Sequence, residues 1–402
     1  MPRSIRCLAF QGGAMKLTGL EVLVIGGGVA GLAVSAALKQ QGASVLVLEQ
    51  AGGFLEVGAG LQISPNGARV IQALGQGASL EEHALRSEAV VLRAAHDGKQ
   101  VLRLNLPKAG AEYHLIHRAD LISVLQGACD GIETRFVAQA TSVDAQGTRP
   151  QVSLSTGEVI SADLVIGADG LHSVMRPHLQ DDPATQPFFT GQVAWRALVP
   201  CSEEHPALAE VFMGPGRHLV SYPLRGGRLR NIVAVEERKT WAQEGWNHPD
   251  DPQHLKQAFS GFGGPVPAWL EQVEKLWLWG LFRHNVAAKW HRGNCAILGD
   301  AAHPTLPFMA QGANMALEDA YVLARELARA RSISDGLVAY QAARRDRVVR
   351  VVEAANRNAR NYHLRPPLAQ FAHFALRLSG RIVPDAPLRQ FAWIYDHDVT
   401  EA

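Results

Sequence analysis

The chain has 402 residues, 47% of them hydrophobic and 19% charged, enough for two or three domains and a large buried core. Its formal net charge of +1 gives no ground for a nucleic-acid or anionic-membrane partner. The four cysteines, Cys7, Cys129, Cys201 and Cys295, form no CxxC pair, which points away from a disulfide framework or a zinc site and toward a reducing cytoplasm.

In chain order, Met1–Ala14 carries Arg3 and Arg6 but no apolar run long enough for a signal peptide, and reads as a disordered extension or an upstream start before Met15. Glu21 to Glu49 then reads strand, glycine turn, helix, strand. Val22–Ile25 is a short apolar run, Gly26, Gly28 and Gly31 follow at fixed spacing, Ala30–Gln41 has helical composition, and Val45–Leu48 ends on Glu49. This is the context a dinucleotide fingerprint requires. Gly26 permits the tight turn, Gly28 lets backbone N–H groups approach a pyrophosphate, and Gly31 lets the helix pack close to the strand. Glu49 is placed to accept hydrogen bonds from an adenosine ribose. The uncharged run Val22–Leu38 approaches membrane-spanning length, but its glycines favour the strand–turn–helix reading. The motif by itself leaves FAD and NAD both open.

Gly58, Gly60 and Pro65-Asn66 predict a loop, followed by a helix from about Gly67 to Leu74. Strands are predicted within Ala89–Leu106, at Tyr113–Arg118, Thr134–Val143, Gln151–Leu154 and Leu164–Ile166, with a helix over Ala119–Ala128. From about Asp182 to Asn285 prolines and tryptophans become frequent and strands predominate: Gln192–Val199, Ala209–Phe212, His218–Pro223, Asn231–Glu236 and Leu276–Phe282, with one helix near Pro252–Phe259. A strand at Cys295–Leu298 and helices over Gly312–Ala330 and Asp335–Tyr362 return to the first texture. The expected fold is α/β: a split, Rossmann-like nucleotide domain (15–181 and 286–365), an inserted, mainly antiparallel sheet domain for substrate (182–285), and a C-terminal helical tail (366–402).

Three motifs stand in order: GGGVAG at Gly26–Gly31, ADLVIGADGLHSVMR at Ala162–Arg176, and CAILGDAAHPTLPFMAQGANMALEDA at Cys295–Ala320. Together they resemble the single-component FAD-dependent aromatic hydroxylases of the para-hydroxybenzoate hydroxylase superfamily, and His117–Leu121, Ala194–Pro200 and Gly214–Gly227 resemble its salicylate hydroxylase-like branch. The resemblance implies FAD, NADH or NADPH as a transient electron donor, O2, a small aromatic or heteroaromatic substrate, and hydroxylation through a flavin C4a-hydroperoxide. It implies a cofactor set of Gly26, Gly28, Ala30, Gly31, Glu49, Gln50, Gln62, Arg118, Asp169, Asp300, Pro307, Gly312, Ala313 and Asn314. Asp300 would accept a bond from a ribityl hydroxyl. The N–H groups of the helix opened by Gln311-Gly312-Ala313-Asn314 would face negative charge on the flavin. Asp169, with Arg176 nearby, would lie toward the pyrophosphate and the nicotinamide donor.

Only one complete dinucleotide fingerprint is present, since Gly261–Pro267 lacks a flanking strand and helix, so the donor would bind in a groove. His218, Val220 and Tyr222 alternate onto one face of a strand that the resemblance turns toward the substrate, with His218 or Tyr222 as the base that deprotonates a phenol. The alternative is two half-buried sheet residues. A flavin-dependent halogenase or other FAD oxidoreductase is the second reading: Trp277–Phe282 partly matches the halogenase WxWxIP motif, with Phe282 in place of its proline. An NAD dehydrogenase and a non-catalytic flavin-binding module are the remaining classes. No His, Cys and carboxylate cluster suggests a metal.

Overall fold

The computed structural model describes residues 10–11, 14–54, 59–106, 112–181, 186–201, 206–238, 248–382 and 389–401. Most of the expected N-terminal extension and Gly58 lie outside them. Phe10–Gln11 of the extension pairs antiparallel with Ala14–Met15, and the N–H of Met15, just beyond the extension, donates to the Ala330 carbonyl at 2.6 Å.

The nucleotide half begins with β1 (Glu21–Ile25), α1 (Val29–Gln40) and β2 (Ser44–Leu48), then β3 (Gly60–Ile63) and α2 (Pro65–Ala73). Next come β4 (Ala89–Ala94), β5 (Gln100–Asn105), β6 (His114–His117), α3 (Arg118–Ala128), β7 (Glu133–Arg135) and β8 (Leu164–Gly167). The tryptophan-rich middle supplies β9 (Phe188–Pro200), β10 (Leu208–Gly214), β11 (Arg217–Leu224), β12 (Leu229–Glu237) and β13 (Trp277–Arg283). The chain then returns through β14 (Cys295–Ile297), α4 (Gly312–Arg329), α5 (Ile333–Tyr362) and α6 (Leu368–Ile382).

The first sheet has the order β7-β2-β1-β8-β14, all parallel, with His291–Arg292 antiparallel at its edge. Its central strands are continuous apolar runs because helices cover both faces. Val24, Ile166 and Ala296 lie side by side across the three central strands and are fully buried. One consequence fixes the site. β1, β8 and β14 end at the same level, so the three sequence motifs, distant in the chain, emerge together at the carboxyl edge of the sheet, where parallel sheets bind ligands.

The second sheet has eight strands, in the order His248–Pro249, β13, β9, β12, β11, β10, β4, β5. It extends the expected antiparallel sheet in one respect: β4 and β5, which precede residue 182 in the chain, belong to it, and β4 pairs with β10 in parallel. Period-two patterning shows that a segment is a strand, but not which sheet it joins. The predicted run Thr134–Val143 is two strands, β7 and Ala140–Asp144, in different sheets. An additional short helix, Val266–Glu271, caps the tryptophan-lined core of the large sheet through Trp269 and Leu270. No helix among the described residues is long and apolar enough to cross a membrane.

Candidate active site

At the end of β1, Gly26 has φ of +102°, and a Cβ there would sit 2.5 Å from the Ala168 carbonyl oxygen. On Gly31 a Cβ would lie 1.8 Å from the Gly26 carbonyl oxygen, so only glycine lets α1 start this close to its strand. Gly28 caps α1 with no side-chain hydrogen bond, and a Cβ there would meet nothing within 4 Å. The turn is therefore tight on its protein side and open on the other, which is the shape a pyrophosphate fits. Ala30 packs against the second turn of the site, where a Cβ on Gly299 would approach its methyl to 3.0 Å.

Glu49 sits half-buried at the end of β2. One carboxylate oxygen accepts the Gly27 N–H at 2.7 Å and the other accepts the Ala51 N–H at 2.8 Å. Each oxygen retains a lone pair for a ribose hydroxyl. The neighbouring Gln50 is exposed. Arg118, the first residue of α3, lies within electrostatic reach of both Glu49 and Asp300; burial lowers its pKa and the two carboxylates oppose that shift. One cation thus spans the two ends of the carboxyl edge.

Asp169 follows β8. Its Oδ2 accepts the N–H groups of Val174 and Met175 at 2.8 and 3.4 Å, while Oδ1 is buried without a partner, and burial raises its pKa. Arg176 is directed elsewhere: its guanidinium donates to the carbonyls of Ala301, Ala302 and Asn285, bracing the loop that carries Asp300. That loop gives the third motif its shape, with Gly299 at φ +59° and Asp300 in a 3-10 turn. Asp300 keeps accessible surface inside a cleft while the surrounding protein desolvates its carboxyl and raises its pKa, with His303 and Arg118 acting in opposition. The wall of an internal cleft produces both effects at once.

The N-terminus of α4 carries no side-chain cap over Gly312, Ala313 and Asn314. The side chain of Asn314 faces inward instead, accepting the Ser64 N–H at 3.0 Å and donating to the carbonyls of Gln62 and Ala310 at 3.1 and 2.7 Å. Gln311 donates to Ser64 Oγ and accepts from Asn66. These side chains bind the β3–α2 segment to the helix start, which leaves the first-turn N–H groups and the helix dipole to face a ligand. Gln62, half-buried, accepts the Tyr113 hydroxyl at 2.7 Å.

An ionic core that the sequence does not announce holds α4 in place. Glu318 and Asp319 are fully buried one turn further along. Arg344 of α5 meets Glu318 at 2.6 Å and Asp319 at 2.8 Å, Arg347 meets Glu318 at 2.9 Å, and His303 bonds Asp319. Burial alone would raise both carboxyl pKa values; the cations outweigh it and hold them below the ordinary range.

The cleft at the carboxyl edge is lined by Leu171, His172 and Trp279–Phe282, by Asp300 and Pro304–Pro307, and by Arg196. Arg196 stacks on Trp279 with its guanidinium carbon 3.9 Å from the ring centre, and its pKa is pushed down to about 10 by burial, still leaving it charged at neutral pH. It belongs to the Ala194–Pro200 segment that carried the resemblance, but was given no role there. His218 and Tyr222 do not line this cleft. Phe308, next to the cleft-lining Pro307, has its ring centre 5.3 Å from that of His218. The two candidate bases stand four residues apart on β11, roughly 13 Å along the strand, and enter different surroundings. Tyr222 lies against Gly60 and Gln62, and burial raises its phenol pKa. His218 hydrogen-bonds His363 at 2.7 Å. Among the described residues no group of His, Cys and carboxylates could hold a metal ion.

The open glycine turn, the unpartnered Asp169 oxygen, Asp300 in the cleft and the uncapped start of α4 together form a cradle suited to FAD. A family model described as an FAD binding domain matches residues 19–355. The chain is 36% identical over 389 residues to a 3-amino-4-hydroxybenzoate 2-monooxygenase of Streptomyces platensis, covering 93% of this chain and 95% of the relative. It is 34% identical over 358 residues to a 3-hydroxybenzoate 6-hydroxylase of Polaromonas naphthalenivorans, covering 86% and 88%. A solved salicylate hydroxylase substrate complex superposes with a TM-score of 0.79 at 26% identity, covering 95% of this chain and 96% of that one. The fold, the cradle and these likenesses together place the chain in the family of FAD-dependent aromatic hydroxylases, within its salicylate hydroxylase-like branch.

Proposed function

We propose that this flavoprotein monooxygenase hydroxylates a small aromatic ring bearing both a hydroxyl and a carboxylate, with NADH or NADPH as electron donor and O2 as the oxygen source. Bound FAD supplies the reductive activation of O2. Gly26, Gly28 and Gly31 shape the pyrophosphate turn, and Glu49 and Arg118 face the adenosine end. Asp300 and the N–H groups of Gly312 and Ala313 face the ribityl chain and the ring. Pro307 stiffens the loop beside them.

The observation that carries the substrate reading is Arg196, a desolvated cation set in a cleft where Trp279, Leu281, Phe282 and Pro307 form apolar walls and His172, Asp300 and Thr305 supply the other polar groups. Such a site favours a flat anion, with the ring against apolar walls and the carboxylate on the guanidinium. The relatives named above are hydroxybenzoate monooxygenases, which supports the same class.

His218 rather than Tyr222 is the base in this reading. Burial lowers the imidazole pKa of His218 and so keeps the ring neutral, with one nitrogen able to take a proton, whereas burial raises the phenol pKa of Tyr222, which is already protonated and has no basic site to offer. The test is single-turnover hydroxylation across hydroxybenzoates and neutral phenols. Arg196→Met raises KM for carboxylated rings by roughly 10- to 100-fold, as expected for a lost charge-assisted bond, and leaves neutral phenols little changed. His218→Ala slows hydroxylation roughly 10²- to 10⁴-fold, and a substrate already ionised at assay pH recovers much of the loss. Equal losses for neutral and carboxylated rings in Arg196→Met remove the carboxylate reading.

A further inference from the structure

His218 does not stand alone. Its Nδ1 lies 2.7 Å from Nε2 of His363, and Nδ1 of His363 lies 2.8 Å from a carboxylate oxygen of Glu237. The line runs outward: His218 is 1% exposed, His363 is 5% exposed, and the Glu237 side chain is 44% exposed. It crosses three elements, β11, the residue after α5, and the end of β12, so no spacing in the sequence reveals it.

The hydrogen positions follow from the outer end. A carboxylate only accepts, so His363 carries its hydrogen on Nδ1. Neutral His363 then has only Nε2 as an acceptor, which requires His218 to carry its hydrogen on Nδ1. The remaining nitrogen, His218 Nε2, is therefore an unprotonated acceptor. Both rings are held neutral: burial lowers the pKa of His218 well below the ordinary value, with His363 adding to it, and burial lowers that of His363 against the pull of Glu237. Taken singly, so buried an imidazole is a poor base, because the imidazolium it forms is desolvated.

We propose that His218, His363 and Glu237 form a proton wire that carries the hydroxyl proton of a bound phenol from the interior to solvent. The inference rests on the reading of His218 as the base. In the step, the phenol O–H breaks and its proton bonds to His218 Nε2. The Nδ1 proton of His218 passes to His363 Nε2, the Nδ1 proton of His363 passes to Glu237, and Glu237 exchanges it with water. Each ring gains one proton and loses one, so neither ends as a cation. One negative charge moves from the surface carboxylate to the phenolate, and no electrons are transferred.

The other groups facing the wire do not interrupt it. Tyr362, whose ring centre is 5.4 Å from that of His218, stays neutral because burial raises its pKa. Arg217 and Arg238 both pair with Glu236 at 2.9 Å. Arg238 and Arg365 share with Glu237 the lining of an open surface cleft, together with Thr190, Gly191 and Gln192, so the outer end of the wire opens to solvent between cations.

The experiment is anaerobic stopped-flow binding of a phenolic substrate to the FAD-loaded enzyme, following phenolate absorbance across pH. Glu237→Gln keeps an acceptor for His363 but cannot take its proton, and His363→Leu removes the middle of the wire. Both are expected to slow phenolate formation about tenfold or more and to change its pH profile, while a substrate ionised before binding enters at the parent rate. Glu237→Asp is expected to restore much of the rate. If His363→Leu does not fold, the exposed Glu237 position decides the matter alone. Phenolate formation at the parent rate and with the parent pH profile in Glu237→Gln, alongside a slow His218→Ala, overturns the wire and leaves the base standing. A parent rate in His218→Ala overturns the base reading itself, and the wire with it.

Discussion

Glu49 illustrates how a single side chain serves two purposes. Its oxygens tie down the N–H groups of Gly27 and Ala51 and so help hold the glycine turn in shape, and each keeps a lone pair for the proposed ribose contact. Glu49→Ala is therefore expected to weaken FAD binding by about 1.5–3 kcal/mol, the usual worth of a hydrogen bond to a charged group. FAD titration by fluorescence quenching, set beside thermal melts of the flavin-free variant, checks this: a matching loss in the melt would make the effect one of turn stability alone. The acidic residue at the end of the second strand was legible in the sequence because local order fixes it. Its partners were not, because backbone N–H groups become donors only once the turn has closed.

At the scale of elements, α4 bears most on the site. Its start must stay uncapped to face a ligand, so its position is set from behind by Glu318 and Asp319 against Arg344, Arg347 and His303. Arg344→Met leaves two buried carboxylates short of their cation. It is expected to cost about 3–5 kcal/mol, the range for breaking one side of a buried ion pair. The pH dependence has a definite sign. Both carboxyl pKa values are depressed in the folded chain, so their contribution is complete above the ordinary values of 4.5 and 3.8 and is lost as pH falls through the lower folded values. Urea titrations from pH 7 down to pH 3 are expected to show this acid loss in the parent and a smaller one in Arg344→Met. Equal slopes in the two proteins count against the cluster as the source.

For the whole molecule, the site lies where the carboxyl edge of the parallel sheet faces the large sheet, and specific contacts join the strand and helix beside that edge to the large sheet. The Gly60 N–H donates to Asn231 Oδ1 at 2.9 Å, and Arg225 after β11 donates to both oxygens of Asp120 on α3 at 3.0 and 2.9 Å. A cofactor held by such a junction binds the folded chain only, so it stabilises by mass action: about 2.7 kcal/mol at a hundredfold excess over Kd. Melting temperature is therefore expected to rise with FAD concentration in proportion to the logarithm of its excess. A melting temperature that does not depend on added FAD in the flavin-free protein would contradict this.

The sequence by itself determined the glycine turn, the order of the three motifs, most strands of the large sheet and the two long helices. Each of these rests on local chemistry: a turn that only glycine fits, an apolar period, a strand ending on an acid. Tertiary structure alone decided that β4 and β5 join the second sheet and that Arg176 braces a loop rather than facing the cleft. It also decided that Arg196 enters the cleft, and that His218 meets His363, 145 positions away, and through it Glu237. Contacts of this kind depend on how separate elements pack, and the spacing of residues along one segment carries no record of the element that will face it.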